Sequence, residues 1–188
     1  MDTYDAVIGR RSIRKFQNKK VPFDILQKCI EAARMAPSAM NLQPLEYIII
    51  EEEQLVKKMF ECTEWNKYSF KNGPQPGEEP TAYILVLSNN KIKTKNPQID
   101  AGLAIENILL TAYAQGVASC CMGATKKKEI IELLKIPEDY SIQNLIVLGY
   151  AKQVSKTVDE DSIRIKQVDD EVRVSKRPLS KIMHRNCF

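Results

Sequence analysis

Two short segments hold most of the side chains with chemistry to offer. Arg10-Arg11-Ser12-Ile13-Arg14-Lys15-Phe16 places guanidinium groups and a hydroxyl at positions 10, 12 and 14. In an extended chain successive side chains alternate, so even spacing points these three toward one face. A planar guanidinium fork makes paired, charge-assisted hydrogen bonds to a phosphate, and a serine hydroxyl adds a donor. If the segment stays helical the three spread apart, and a solvated basic face is then the plainer reading. Pro37-Ser38-Ala39-Met40-Asn41-Leu42-Gln43-Pro44 supplies Ser38, Asn41 and Gln43, which both donate and accept. They suit the carbonyls and ring nitrogens of a planar heterocycle, or form a polar turn between a helix and a strand. A second basic cluster, Ser175-Lys176-Arg177-Pro178-Leu179, lies far along the chain. It is a solvated pair unless folding brings it to the same anion.

Other chemistries lack their residues. The five cysteines, Cys29, Cys62, Cys120, Cys121 and Cys187, are odd in number and have no CxxC spacing, which disfavours a disulfide framework and a zinc or iron–sulfur site. His184 is the one histidine, so a His-rich metal centre and a histidine-based triad are disfavoured too. Neither GxGxxG nor GxxxxGK[ST] follows a strand. No side chain stands out as a general acid or base, and the reactive chemistry is expected from a cofactor. The adjacent thiols of Cys120 and Cys121 read as small core residues rather than a redox pair.

The 188 residues, 44% hydrophobic and 28% charged, are expected to form one domain over 1–188. A formal charge of +4, with Lys and Arg interleaved among Asp and Glu, gives little footing for nucleic acid. No apolar run approaches the ~20 residues of a membrane span. Residues 1–5 lack the basic start and apolar middle of a signal peptide, so a cytoplasmic location is expected.

These segments must be positioned by the elements between them. A first helix is predicted from an Asp2 or Thr3 cap through Ile8, with Val7 and Ile8 facing inward. A second begins near Asp24, carries Ile25, Leu26, Cys29, Ile30 and Ala33 at helical spacing, and ends by Pro37. Leu45 to Ile50, Ala82 to Leu87, Val117 to Met122 and Ile142 to Gly149 read as strands. Gln54 to Cys62, Pro97 to Gln115 and Lys127 to Leu134 read as helices, the second stopped by Gly116. Apolar residues cover much of that helix, as expected of a central, buried one. Residues 63–80 form a Gly- and Pro-rich loop whose Trp65, Tyr68 and Phe70 either cap a substrate pocket or pack the loop. Residues 160–174 alternate around Asp169-Asp170 as a hairpin insertion, and a short helix follows Pro178. The pattern is α+β, with a mixed sheet flanked by helices.

RRSxRxF followed by APSxxNxQP before an apolar strand resembles the opening of the FMN-dependent nitroreductase family. Asp100-Ala101-Gly102-Leu103-Ala104-Ile105-Glu106-Asn107-Ile108-Leu109-Leu110 resembles its central helix, Gly116 to Ala124 the strand and turn beside the flavin, and Val174 to Leu179 its late phosphate-binding segment. The resemblance implies an intertwined homodimer with FMN in two clefts between the subunits. It implies Arg10, Arg11, Ser12 and Arg14 at the ribityl phosphate, joined by Lys176 and Arg177. Pro37, Ser38, Asn41 and Gln43 would approach the same flavin from the partner subunit, and Cys121, Met122 and Gly123 would line the ring. Many family members carry Trp where Cys121 stands, so the pocket wall differs. The implied activity is hydride transfer from NAD(P)H through flavin N5 to a small electron acceptor, such as a nitro compound or quinone, by a ping-pong mechanism. The alternative is an FMN-binding sensor or store without turnover. No metal, nucleic-acid or membrane partner is implied.

Overall fold

The computed structural model describes residues 2–65, 73–123, 125–168 and 171–188. Contacts divide them into two compact units, one up to Lys152 and the other from Gln153 onward.

The first unit contains α1 (Thr3–Gly9), β1 (Phe16–Gln17), α2 (Phe23–Arg34), β2 (Leu45–Ile50), α3 (Glu53–Glu61), β3 (Ala82–Asn89), α4 (Pro97–Ala114), β4 (Ala118–Met122), α5 (Lys127–Leu134) and β5 (Tyr140–Ala151). Its sheet is built on β5, which pairs antiparallel with β1, β3 and β4, while β2 extends the sheet beyond β3. A parallel bridge between Ser12 and Ser119 adds the residues after α1 to this framework. The second unit contains β6 (Val154–Asp159), β7 (Ile165–Val168) and β8 (Glu171–Lys176), with β8 parallel to β6 and antiparallel to β7. The architecture is α+β. Parallel pairing enters through the Ser12 bridge and the second sheet.

The apolar runs of β3 and β5 have a direct physical cause, because helices cover both faces of the first sheet. Ala82, Ile84 and Val86, with Ile146 and Leu148, pack against Leu26, Cys29 and Ala33 of α2 and Ala101, Ala104 and Ile108 of α4. Tyr83, Leu85 and Leu87, with Leu145 and Val147, pack on the other side against Phe16, Met59 of α3 and Ile130 of α5. The period-2 alternation of a strand therefore sorts one continuous apolar sequence into two cores.

Several boundaries follow from local chemistry. The Asp2 carboxylate accepts from the Tyr4 N–H and caps α1. Pro97 opens α4, and Gly116 follows it with φ +74°, the left-handed conformation glycine favours. The inward-facing assignment of Val7 and Ile8 is corrected. They are 48% and 53% exposed, and α1 buries only Ala6. Helix α4 buries Ala101, Ala104, Ile105, Ile108, Leu109 and Ala112, while its Ile99 and Leu103 are 61% and 45% exposed. The segment after Pro178 is a single 3-10 turn, Leu179–Lys181. No helix among the described residues is long and apolar enough to cross a membrane.

The two-residue strand β1 is held by its surroundings rather than its length. Phe16 is fully buried, and a Cβ added at Gly149 would lie 2.8 Å from its Cδ1 and 3.0 Å from its Cβ. Glu78 stands beside it, accepting from the Gln75 N–H at 3.1 Å and pairing with Lys15 and Lys152 at 3.3 Å each. That N–H, then the two lysines, hold its carboxyl below the usual carboxylate range.

Gly149→Ala should lower stability by about 1–3 kcal/mol, because the Phe16 ring has no room to retreat. Urea denaturation checks it, and an unchanged midpoint would show that the packing relaxes freely. The contribution of Glu78 should be fully present above the ordinary carboxylate range and lost as pH falls below it, since the folded state depresses the pKa. Glu78→Gln should therefore lose stability at neutral pH and flatten the acid limb of a stability–pH curve. Parallel curves for the two proteins would contradict this.

Candidate functional site

Arg10 ends α1 in an extended conformation (φ −60°, ψ 135°), so the following residues leave the helix and alternate. Ile13 N–H donates to the Ser119 carbonyl at 3.0 Å, fixing the segment along β4. Arg10, Ser12 and Arg14 all act on one neighbour, the Cys120 thiol. Ser12 hydrogen-bonds it and both arginines favour its ionisation, yet burial outweighs them and pushes its pKa up.

Arg10 is the unusual member. Its Nε lies 3.6 Å from a carboxylate oxygen of Glu106, while Nε and Nη1 are buried without a hydrogen-bond partner among the described residues. Buried guanidinium donors lacking acceptors are costly unless an anion satisfies them. Arg11 behaves differently. Its Nη1 and Nη2 donate to the carbonyls of Arg10 and Ile8 and close the C-terminal end of α1. Burial lowers its pKa, and the charge of Arg10 adds to that effect.

Residues 37–43 present the second group. Met40, Asn41 and Gln43 have φ of 52°, 55° and 49°, left-handed values that side chains other than glycine adopt at a cost. Local bonds hold them there: Asn41 N–H donates to the Ser38 carbonyl at 2.9 Å, Gln43 N–H to Ser38 Oγ at 3.0 Å, and Ala39 N–H to Asp100 Oδ1 at 3.1 Å. Asn41 and Gln43 are exposed, Pro37 is exposed and Ser38 is half-buried. Pro37, Ser38 and Gln43 line a cavity of about 160 Å³ with Tyr47, Asp100 and Ala104. Burial pushes the Tyr47 phenol up to about 12.

Helix α4 carries both groups. Glu106 meets Arg10, and one heptad later Tyr113 lies against Gly9 and acts on Arg11. Asp100 holds Ala39, and one heptad later Asn107 Nδ2 donates to the Ala32 carbonyl at 2.9 Å. At 3.6 residues per turn, Asp100 and Glu106 sit about 120° apart around the axis and about 9 Å apart along it. The arginine segment and the 37–43 loop therefore meet α4 on different sides.

At the end of β4, Cys121 is half-buried, Met122 is buried and Gly123 is exposed. A Cβ at Gly123 would meet nothing within 4 Å among the described residues, so the space above it is open to a ligand. Lys176 ends β8 in the second unit, and Arg177 follows it, with Nε 3.6 Å from Asp161 Oδ1. Trp65 packs in the core with its ring 6.1 Å from that of Phe60. Tyr68 and Phe70 lie outside the described residues. Asp100 and Glu106 carry no role in the sequence reading. A carboxylate inside a mostly apolar helix is the signal that marks Asp100.

The sequence matches the Nitroreductase family over residues 7–150, and the chain belongs to that family. A relative from Archaeoglobus fulgidus, named as a candidate NADH dehydrogenase/NAD(P)H nitroreductase, is 32% identical over 163 residues, covering 82% of this chain and 88% of the relative. An FMN reductase using NAD(P)H from Bacillus subtilis is 24% identical over 164 residues, covering 77% of this chain and 64% of that protein. The solved structure of an FMN-dependent nitroreductase from Clostridium difficile R20291 shares the fold, with a TM-score of 0.74 at 24% identity over 98% of this chain and 99% of that one.

The thiols give a direct test of this environment. Burial pushes Cys121 up to about 11 and Cys29 up to about 12, whereas Cys187 is exposed. In native protein at pH 8, Ellman's reagent should label Cys187 rapidly and the others only on unfolding. Fast labelling of Cys121 would contradict the geometry of β4.

Proposed function

We propose that this chain is an NAD(P)H-dependent FMN oxidoreductase of nitroreductase type. NAD(P)H and a small electron acceptor, such as a nitro compound or a quinone, use one site in turn. FMN, when bound, would supply the redox chemistry of hydride transfer from NAD(P)H to the acceptor. The FMN dependence of the Clostridium difficile protein and the name of the Bacillus subtilis relative support the cofactor.

The observation that carries the reading is Arg10, whose Nη1 is buried without a hydrogen-bond partner among the described residues and whose Nε meets only the long 3.6 Å ion pair with Glu106. A phosphate monoester with about two negative charges satisfies such donors, which fits the terminal group of FMN. Arg10, Ser12 and Arg14 hold that phosphate. Arg11 contributes charge, because its terminal nitrogens are engaged on carbonyls. Lys176 and Arg177 are assigned to the same phosphate by family resemblance. Backbone groups at Met122 and Gly123 meet the ring edge, and the open space at Gly123 supports this. Pro37, Ser38, Asn41 and Gln43 face the flavin from the partner subunit, while Cys121 forms part of the pocket wall.

The assembly is a homodimer. Tyr4, Val7 and Ile8 on α1 and Ile99 and Leu103 on α4 are exposed apolar side chains on two helices that pack together. Apolar surface of this kind marks an interface. The separation of the arginine segment and the 37–43 loop around α4 supports sites that draw on both copies.

An absorbance spectrum of the purified protein, followed by anaerobic titration with NADH and NADPH, tests the reading. Flavin bands should bleach on titration and return with an acceptor. Arg10→Ala should bind FMN about tenfold or more weakly with little change in unfolding midpoint. Bands that persist with both nucleotides favour storage or sensing, and a colourless protein that ignores added FMN overturns the assignment.

A further inference from the structure

We infer that Asp100 is a positioning residue for the cofactor, holding the 37–43 loop in the conformation that presents Ser38, Asn41 and Gln43. This rests on the assignment of that loop to FMN.

Acids in the first turn of a helix are common because they favour the positive end of its dipole. Such residues normally sit in water. Asp100 is 3% exposed, and burying a carboxylate is costly unless its oxygens are satisfied. One of them is: Oδ1 accepts the Ala39 N–H at 3.1 Å. The other, Oδ2, is buried without a partner among the described residues, and Asp100 lines the same cavity as Ser38 and Gln43.

The loop has the matching need. Three of its four residues 40–43 are non-glycine residues at positive φ, and such backbone persists only where several contacts over-determine it. Two of those contacts come from the loop itself, through the Ser38 carbonyl and Ser38 Oγ. Asp100 supplies the anchor from outside, through the amide at the start of the Ala39–Asn41 turn. Its own helix is fastened one heptad later by Asn107 to the end of α2, so the anchor is rigid. Oδ1 is taken up by the Ala39 N–H, and Oδ2 offers a second acceptor to a donor entering the cavity.

The test uses the full-length protein, with and without FMN. In the cofactor-free protein, Asp100→Ala should speed hydrogen exchange of the Ala39, Asn41 and Gln43 amides about tenfold, while amides of β3 and β5 keep their rates. The same variant should weaken FMN binding, followed by flavin fluorescence quenching, by about tenfold. Asp100→Asn keeps an oxygen for the Ala39 amide and should restore both measurements to within about threefold of the parent. Ser38→Ala removes the acceptor for Gln43 and should reproduce the loop's fast exchange, a readout that remains if Asp100→Ala fails to fold. Unchanged exchange in both alanine variants overturns the anchoring role. Fast exchange with unchanged FMN affinity overturns the link to the cofactor while leaving FMN binding itself intact. A parent protein that takes up no FMN overturns the functional reading and this one with it.

Discussion

Strand β5 exchanges main-chain hydrogen bonds with three other strands, and the site hangs from that pairing. β1 brings Phe16 against Gly149 and so fixes the end of the arginine segment, while β4 fixes its middle through Ser12 and Ile13. β3 carries the far edge on which β2 follows the polar loop. Loss of β5 would remove the common reference from all of them. This explains why a segment with almost no regular structure of its own is held along the sheet.

The helices add a second constraint. Covering both faces of an antiparallel sheet consumes the apolar residues of β3 and β5, and it places α4 where its small side chains meet α2. Close packing through Ala101 and Ala104 brings the polar residues of α4 within reach of backbone at the end of α2 and in the loop beyond. Asp100 and Asn107 each bond a main-chain group outside their own helix, the Ala39 N–H and the Ala32 carbonyl. The opposite side of the same helix serves the arginines through Glu106 and Tyr113.

Much of this was legible in the sequence, for identifiable reasons. Leu45–Ile50 and Lys127–Leu134 agree with their predicted bounds, because a short branched run and a strong apolar stripe leave little ambiguity. The α+β class follows from the order of such elements. The extended course of the arginine segment after Arg10 agrees with the extended alternative in the sequence reading. The exposure of Val7 and Ile8 was not readable, since an apolar stripe on a short helix does not report which neighbours the fold brings to it. β1 is too short to leave a period, and β6 (Val154–Asp159) alternates little, being exposed or half-buried throughout. The use of Arg11 on two carbonyls depends on where α1 stops to within a residue. The burial of Asp100 depends on a loop sixty residues earlier, which no local pattern contains.

The unsatisfied donors of Arg10 have a thermodynamic meaning for the whole fold. Arg10 and Arg11 repel one another, Glu106 lies 3.6 Å from the Arg10 Nε, and the Arg10 Nη1 is buried without a hydrogen-bond partner among the described residues. An anion that accepted from this donor would favour the native state over the unfolded chain. Binding to the native state alone adds RT ln(1 + [L]/Kd), about 2.7 kcal/mol at a hundredfold excess over Kd. Folding and ligand uptake are then one equilibrium. If the anion proposed for this segment is FMN, the protein should resist unfolding more strongly as FMN is added.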